Sequence, residues 1–116
     1  MMKKINKCCL FCSIVSEEIP SQKIYSDDNI YAFYDINPVA KTHILVIPKE
    51  HLTKLSDLKN YEILGQMINT ASQLAKKLNI SSSGYRLVIN QGNDAGQEVE
   101  HLHCHLIGGN KLSSLK

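Results

Sequence analysis

Polar and apolar residues alternate most strictly from His101 to Ile107, where Leu102, Cys104 and Leu106 are interleaved with His101, His103 and His105. A strand sends successive side chains to opposite faces, so the period predicts an extended segment over 101–107. Leu102, Cys104 and Leu106 would then face a core, and all three imidazoles the other side. Same-face residues are about 6.5–7 Å apart along a strand, which separates His101 from His105 by about 13 Å. Neighbouring histidines could share one metal ion, but the three together could not.

The same period recurs upstream. Residues 30–35 alternate with Tyr31, Phe33 and Asp35 on one face, and Asn37-Pro38 ends the run. Residues 42–48 form the most apolar segment and read as a central strand closed by Pro48. Lys23 to Ser26 is a short strand before an Asp-Asp-Asn turn, and Tyr85 to Asn90 is a strand rich in branched residues. Between Ser56 and Leu78 the spacing changes to three and four, through Ile63, Met67, Ala71, Leu74 and Leu78, which predicts one long helix capped by Ser56 or Asp57. Strands, one helix and further strands define an α+β domain with an antiparallel sheet, preceded by a short N-terminal helix or turn. The 116 residues suffice for a single domain, 1–116, with 1–8 expected to be a flexible tail.

Composition narrows the partners. A formal charge of +2 with no run of clustered Lys and Arg argues against a nucleic-acid polymer and leaves individual nucleotides open. No apolar run approaches the ~20 residues of a membrane span, and the start reads as mature sequence rather than a secretory signal. Of the four cysteines, Cys8, Cys9 and Cys12 crowd at one end and Cys104 lies among the histidines. This layout is poor for a disulfide framework, and a reducing, cytoplasmic setting is expected.

The histidine row admits three chemistries. A structural role is disfavoured because three same-face imidazoles make a poor core and an odd solvent face. A metal pair of the H-x-H kind is one alternative. Nucleophilic and acid–base chemistry is the other, since imidazole titrates near 6.5 and offers a neutral attacker beside a charged anchor for phosphate. His43 and His51 flank the central strand as further candidates. Cys9-Leu10-Phe11-Cys12 places two cysteines at zinc or redox spacing. The loop from Gln91 to Glu100 carries two glycines next to the histidines, where backbone N–H groups could approach an anion.

The run from Ala95 to Ile107, together with Asp35-Ile36-Asn37-Pro38 and the segment His43 to His51, resembles the signature of the histidine triad (HIT) family, most closely its Hint branch. The likeness spans Leu10 to Gly109. It implies the HIT-type α+β fold, a homodimer, and cleavage of purine nucleoside 5′-phosphoramidates through a nucleotidyl-histidine intermediate, with no cofactor required for the chemistry. On this resemblance His103 is the nucleophile, His105 binds phosphate oxygens and His43 orients the triad. Asp35 accepts the ribose hydroxyls, Phe11, Ile14, Phe33 and Ile36 hold the purine of an AMP or GMP conjugate, and Asn90 and backbone donors near Gln97, Glu98 and Val99 serve the phosphate. Two features depart from the Hint pattern: Glu98 stands where a serine is usual, and the chain lacks the Trp-Pro-Pro-Gly ending. Bacterial-type members of the family are similar to this chain in pairing a C-x-x-C with later histidines, which implies a structural zinc on Cys9, Cys12, His51 and His101. The rival expectation is a zinc-stabilised nucleotide-binding module with little turnover.

Overall fold

The computed structural model describes Asn6 and residues 8–115. Most of the tail expected over 1–8 therefore lies outside the described residues. Five strands form one antiparallel sheet in the order β1-β2-β3-β5-β4. They are β1 (Lys23–Ser26), β2 (Ile30–Tyr34), β3 (Thr42–Pro48), β4 (Tyr85–Val88) and β5 (Cys104–Gly108), accompanied by the helices α1 (Leu10–Val15) and α2 (Glu62–Lys77). No described helix is long and apolar enough to cross a membrane.

Alternation along the strands divides the sheet into two faces. Ile30, Ala32, Ile44, Val46, Cys104 and Leu106 turn to one side, where Met67, Ala71, Leu74 and Ala75 of α2 complete the core. Tyr31, Phe33, Leu45 and Ile47 turn to the other, where they meet Phe11, Cys12 and Ile14 of α1. Burying each large apolar side chain contributes about 1.5–3 kcal/mol, so one face is given over to stability by a long helix. The opposite face, covered only by a six-residue helix, has room for a cavity.

Several boundaries differ from the sequence expectation. The long helix starts at Glu62 rather than near Ser56, because Leu58 adopts an extended backbone and Leu55–Asp57 closes as a separate single turn. Asn60, not Ser56 or Asp57, supplies the capping oxygen: its Oδ1 accepts the Glu62 N–H at 3.1 Å. At the other end Asn79 takes a left-handed conformation with φ of 60°. The N–H of Ile80 returns to the Ala75 carbonyl and that of Asn79 to the Lys76 carbonyl, at 3.0 and 3.1 Å. This closes the helix in a Schellman arrangement, with Ile80 buried against the core.

The histidine strand is also shorter than its alternation suggests. Regular pairing begins at Cys104, since the Leu102 N–H is taken by the Leu52 carbonyl at 2.6 Å and the His101 N–H by the Val99 carbonyl at 2.8 Å. Leu102, Cys104 and Leu106 nevertheless enter the helix-side core as expected. Strand β4 likewise ends at Val88, leaving Ile89 and Asn90 to lead into the glycine loop.

Candidate active site

A cavity of about 550 Å³ lies between α1 and the exposed end of the sheet. Phe11 and Ile14 from α1 and Phe33 from β2 form its apolar end, the two phenyl rings meeting edge to face with centroids 5.6 Å apart. Ile36 stands at the rim, 90% exposed. Ile19, Pro20 and Val39 complete this apolar wall. The sequence does not single them out, because they sit in turns where no hydrophobic period operates.

Asp35, at the end of β2, lines the middle of the cavity. One carboxylate oxygen accepts the Asn37 N–H at 2.8 Å, and the other stands 3.5 Å from His43 Nε2. Beyond it lie His43, His103 and His105, with Asn90, Gly96, Glu98 and Val99 on the loop side.

The hydrogen bonds determine which ring nitrogen carries the proton in each neutral histidine. The Val39 backbone N–H donates to His43 Nδ1 at 3.1 Å, so the proton of His43 resides on Nε2. That nitrogen is 2.9 Å from His105 Nδ1 and donates to it, which leaves an N–H at His105 Nε2. His103 Nδ1 is 2.6 Å from the His101 carbonyl, an acceptor, so Nδ1 carries the proton and Nε2 keeps its lone pair. The outcome is a donor on His105 and an unprotonated nitrogen on His103, with ring centroids 5.1 Å apart. Asp35, His43 and His105 also come close enough to suggest a metal site. The relay argues against one, because His43 Nε2 is committed as a donor.

Burial holds all three imidazoles toward the neutral form. His43 and His103 are shifted below the usual histidine value by desolvation, opposed at His43 by the Asp35 charge and at His103 first by the bond to the His101 carbonyl and then by Asp35. His105 is lowered to about 4, by desolvation and then by its neighbours His103 and His43. His101 is also lowered to about 4, chiefly by desolvation. A folded-state value below the unfolded one means that the unfolded chain binds more protons between the two, so stability is lost as pH falls. Tm should therefore drop between pH 6.5 and about 4 in the metal-free protein, and replacing His105 by Gln should flatten that slope. A Tm independent of pH across this window would contradict the assignment.

A second cluster sits behind the first. The ligand atoms of Cys9, Cys12, His51 and His101 all lie within 4.8 Å of one another. His101 Nε2 donates to the Pro48 carbonyl at 2.7 Å, which turns the Nδ1 lone pair toward Cys9 Sγ at 3.5 Å and Cys12 Sγ at 3.6 Å. Cys12 Sγ is 3.3 Å from His51 Nδ1. Zinc bonds of about 2.3 Å to sulfur and 2.0–2.1 Å to nitrogen give a tetrahedron whose S···N edges are about 3.6 Å. The donor set, its spacing and the carbonyl behind His101 thus fit a structural zinc ion.

The glycine loop borders the histidine end of the cavity. Gly92 has φ of 85° and ψ of 170°, and Gly96 φ of 81° and ψ of 26°, bracketing the turn Asn93–Ala95. The first conformation is essentially open only to glycine. Gln97 does not line the cavity. Its Oε1 accepts the Gly92 N–H at 2.8 Å, while its Nε2 donates to the carbonyls of Thr53 and Val99 at 3.3 and 3.1 Å. Its side chain is a brace that sets the loop against the sheet.

The HIT domain model matches residues 16–112. Over 108 residues the chain is 42% identical to the purine nucleoside phosphoramidase of Escherichia coli strain K12, covering 91% of each. A histidine triad protein from Clostridium difficile superposes with a TM-score of 0.92 at 42% identity, over 96% of this chain and 98% of that one. A HIT family hydrolase from Legionella pneumophila Philadelphia 1 superposes at 0.88 with 44% identity, over 90% and 96%. The chain belongs to the HIT domain family, and it is an enzyme, a hydrolase of that family.

Proposed function

We propose that this hydrolase cleaves purine nucleoside 5′-phosphoramidates, or related AMP conjugates, through a nucleotide held on His103. The unprotonated Nε2 set by the His103 Nδ1 to His101 carbonyl bond carries this reading. In the first step the Nε2 lone pair forms a bond to the α-phosphorus, and the P–N bond breaks with its electron pair on the departing amine, which takes a proton from solvent water as it leaves. In the second, water attacks the same phosphorus and gives up a proton to solvent, the P–Nε2 bond breaks with its electron pair returning to Nε2, and the nucleoside monophosphate is released. His105 donates from Nε2 to a phosphate oxygen, and His43 holds it in that tautomer. Backbone donors of the loop near Val99 and the amide of Asn90 stabilise the same charge. Asp35 accepts the ribose hydroxyls through the oxygen not committed to Asn37, and Phe11, Ile14, Phe33 and Ile36 enclose the purine.

Zinc, when bound by Cys9, Cys12, His51 and His101, supplies structure and not chemistry. A cytoplasmic setting belongs to the same proposal, since none of the four cysteines is joined in a disulfide. So does a C2 homodimer, for which β4 at the sheet edge offers unpaired backbone to a second copy. Protein purified without an affinity tag should carry about one zinc per chain and scatter light as a dimer. Less than about a tenth of an equivalent, or a monomer at micromolar concentration, would remove the respective part.

The deciding experiment is incubation with an adenosine 5′-phosphoramidate. AMP and free amine should appear in equal amounts at many turnovers per chain. Tight nucleotide binding without AMP formation would overturn the hydrolytic reading in favour of a zinc-stabilised nucleotide-binding module.

A further inference from the structure

Phe11 stands where the two clusters meet. It lies between Cys9 and Cys12 in the chain, is only 4% exposed, and meets three other rings in T-shaped contacts. The centroids of Phe33, His101 and His103 are 5.6, 5.8 and 5.1 Å away, with interplanar angles of 75°, 68° and 89°. The contact with the His103 ring bears on catalysis, because that ring has one hydrogen bond, from Nδ1 to the His101 carbonyl. A single bond at one nitrogen leaves rotation about it to be restrained by the rings packed on His103, those of His105 and Phe11, each with its centroid 5.1 Å away. Of the two, the phenyl ring stands closest to perpendicular, at 89°, and so opposes a swing of the imidazole most directly.

What holds Phe11 is the helix that carries it. Helix α1 has six residues, no side-chain hydrogen bond at its N-cap Cys9 and no acidic residue in its first turn. A helix so short does not persist unaided. Its ties are the burial of Phe11, Cys12 and Ile14 and the thiols of Cys9 and Cys12, which lie against His101 and His51. His101 provides a second route, since its side chain belongs to the cysteine–histidine cluster while its carbonyl holds His103.

We propose that Phe11 is a positioning residue for the His103 ring, and that through Phe11 and the His101 carbonyl the state of the Cys9–Cys12–His51–His101 cluster sets the rate of turnover. This role is additional to enclosing a purine, and it rests on the proposed phosphoramidase reading only for the choice of assay substrate.

The test uses the zinc-loaded full chain, the same chain after chelation, and Phe11→Leu. Phe11→Leu should retain wild-type zinc content and lose about tenfold or more in kcat at saturating adenosine 5′-phosphoramidate, a loss that a weakened purine wall, which acts on KM, does not produce. Chelation should lower kcat in the same direction. In long-range ¹H–¹⁵N spectra the His103 ring resonances should move both on chelation of the wild-type chain and in zinc-loaded Phe11→Leu. A Phe11→Leu variant with undiminished kcat would overturn the proposal, as would His103 ring resonances that stay fixed when zinc is withdrawn. Should Phe11→Leu fail to fold, the chelated wild-type chain gives both readouts. If the wild-type chain turns over no phosphoramidate, the reaction assignment fails by itself, and the ring spectra decide the coupling.

Discussion

Replacing His103 by Gly is expected to abolish formation of the nucleotidyl-enzyme and to reduce turnover by about 10³-fold or more, equivalent to at least ~4 kcal/mol of barrier. No neighbour can substitute for it. His105 Nδ1 accepts from His43, so its remaining nitrogen carries a proton, and the His101 lone pair points to the cysteines. Nucleotide affinity should fall far less, because the apolar wall and Asp35 are left in place. Quenched-flow trapping with radiolabelled substrate, alongside equilibrium binding of AMP, separates the two effects. A His103→Gly variant that still acquires label on histidine would place the nucleophile elsewhere. The rate of the wild-type enzyme should also persist below pH 6.5, because burial keeps His103 neutral there and its acid limb lies at the lowered value.

Much of this site can be read in the chain because two periods coincide with it. The alternation in β3 places His43 on the face of Leu45 and Ile47, and Ile44 and Val46 on the other. The alternation from Leu102 to Leu106 separates core from imidazoles in the same way. A run of this kind registers only which face a side chain takes. It does not reveal that the N–H of Val39 turns back onto His43, because that depends on the path of the chain after Pro38. The tautomers of His43 and His105, and with them the division of labour in the triad, follow from that turn. Gln97 shows the same limit. Its place beside the histidines suggests a backbone donor for phosphate, whereas in the fold its N–H goes to the Gly92 carbonyl and its side-chain amide reaches Gly92 and Thr53 to brace the loop. The start of α2 is misplaced by the sequence for a similar reason, since residues 56–61 are polar enough for either a helical first turn or the separate turn observed.

The largest effect on stability is expected at Ile44. Its side chain is fully buried on β3, opposite Tyr34 on β2 and Leu106 on β5, and packs in the core that α2 closes. Truncation to Ala removes most of a fully buried side chain where strands hydrogen-bonded on both sides oppose collapse, and such a change costs about 2–5 kcal/mol. Against a total of about 5–15 kcal/mol for a domain, this is a large share. Ile44→Val, which deletes one methylene, should cost only about 0.5–1.5 kcal/mol. Denaturant titration should show the midpoint falling in that order with an unchanged m-value. Because Ile44 alternates with His43 along β3, loosening this position also loosens the strand that presents the relay to His105. Turnover of the Ala variant should therefore decline at temperatures below its Tm, whereas the Val variant should keep wild-type kcat. Equal midpoints for the two variants would mean that the core around β3 collapses freely onto the space Ile44 leaves, against the restraint its paired neighbours impose.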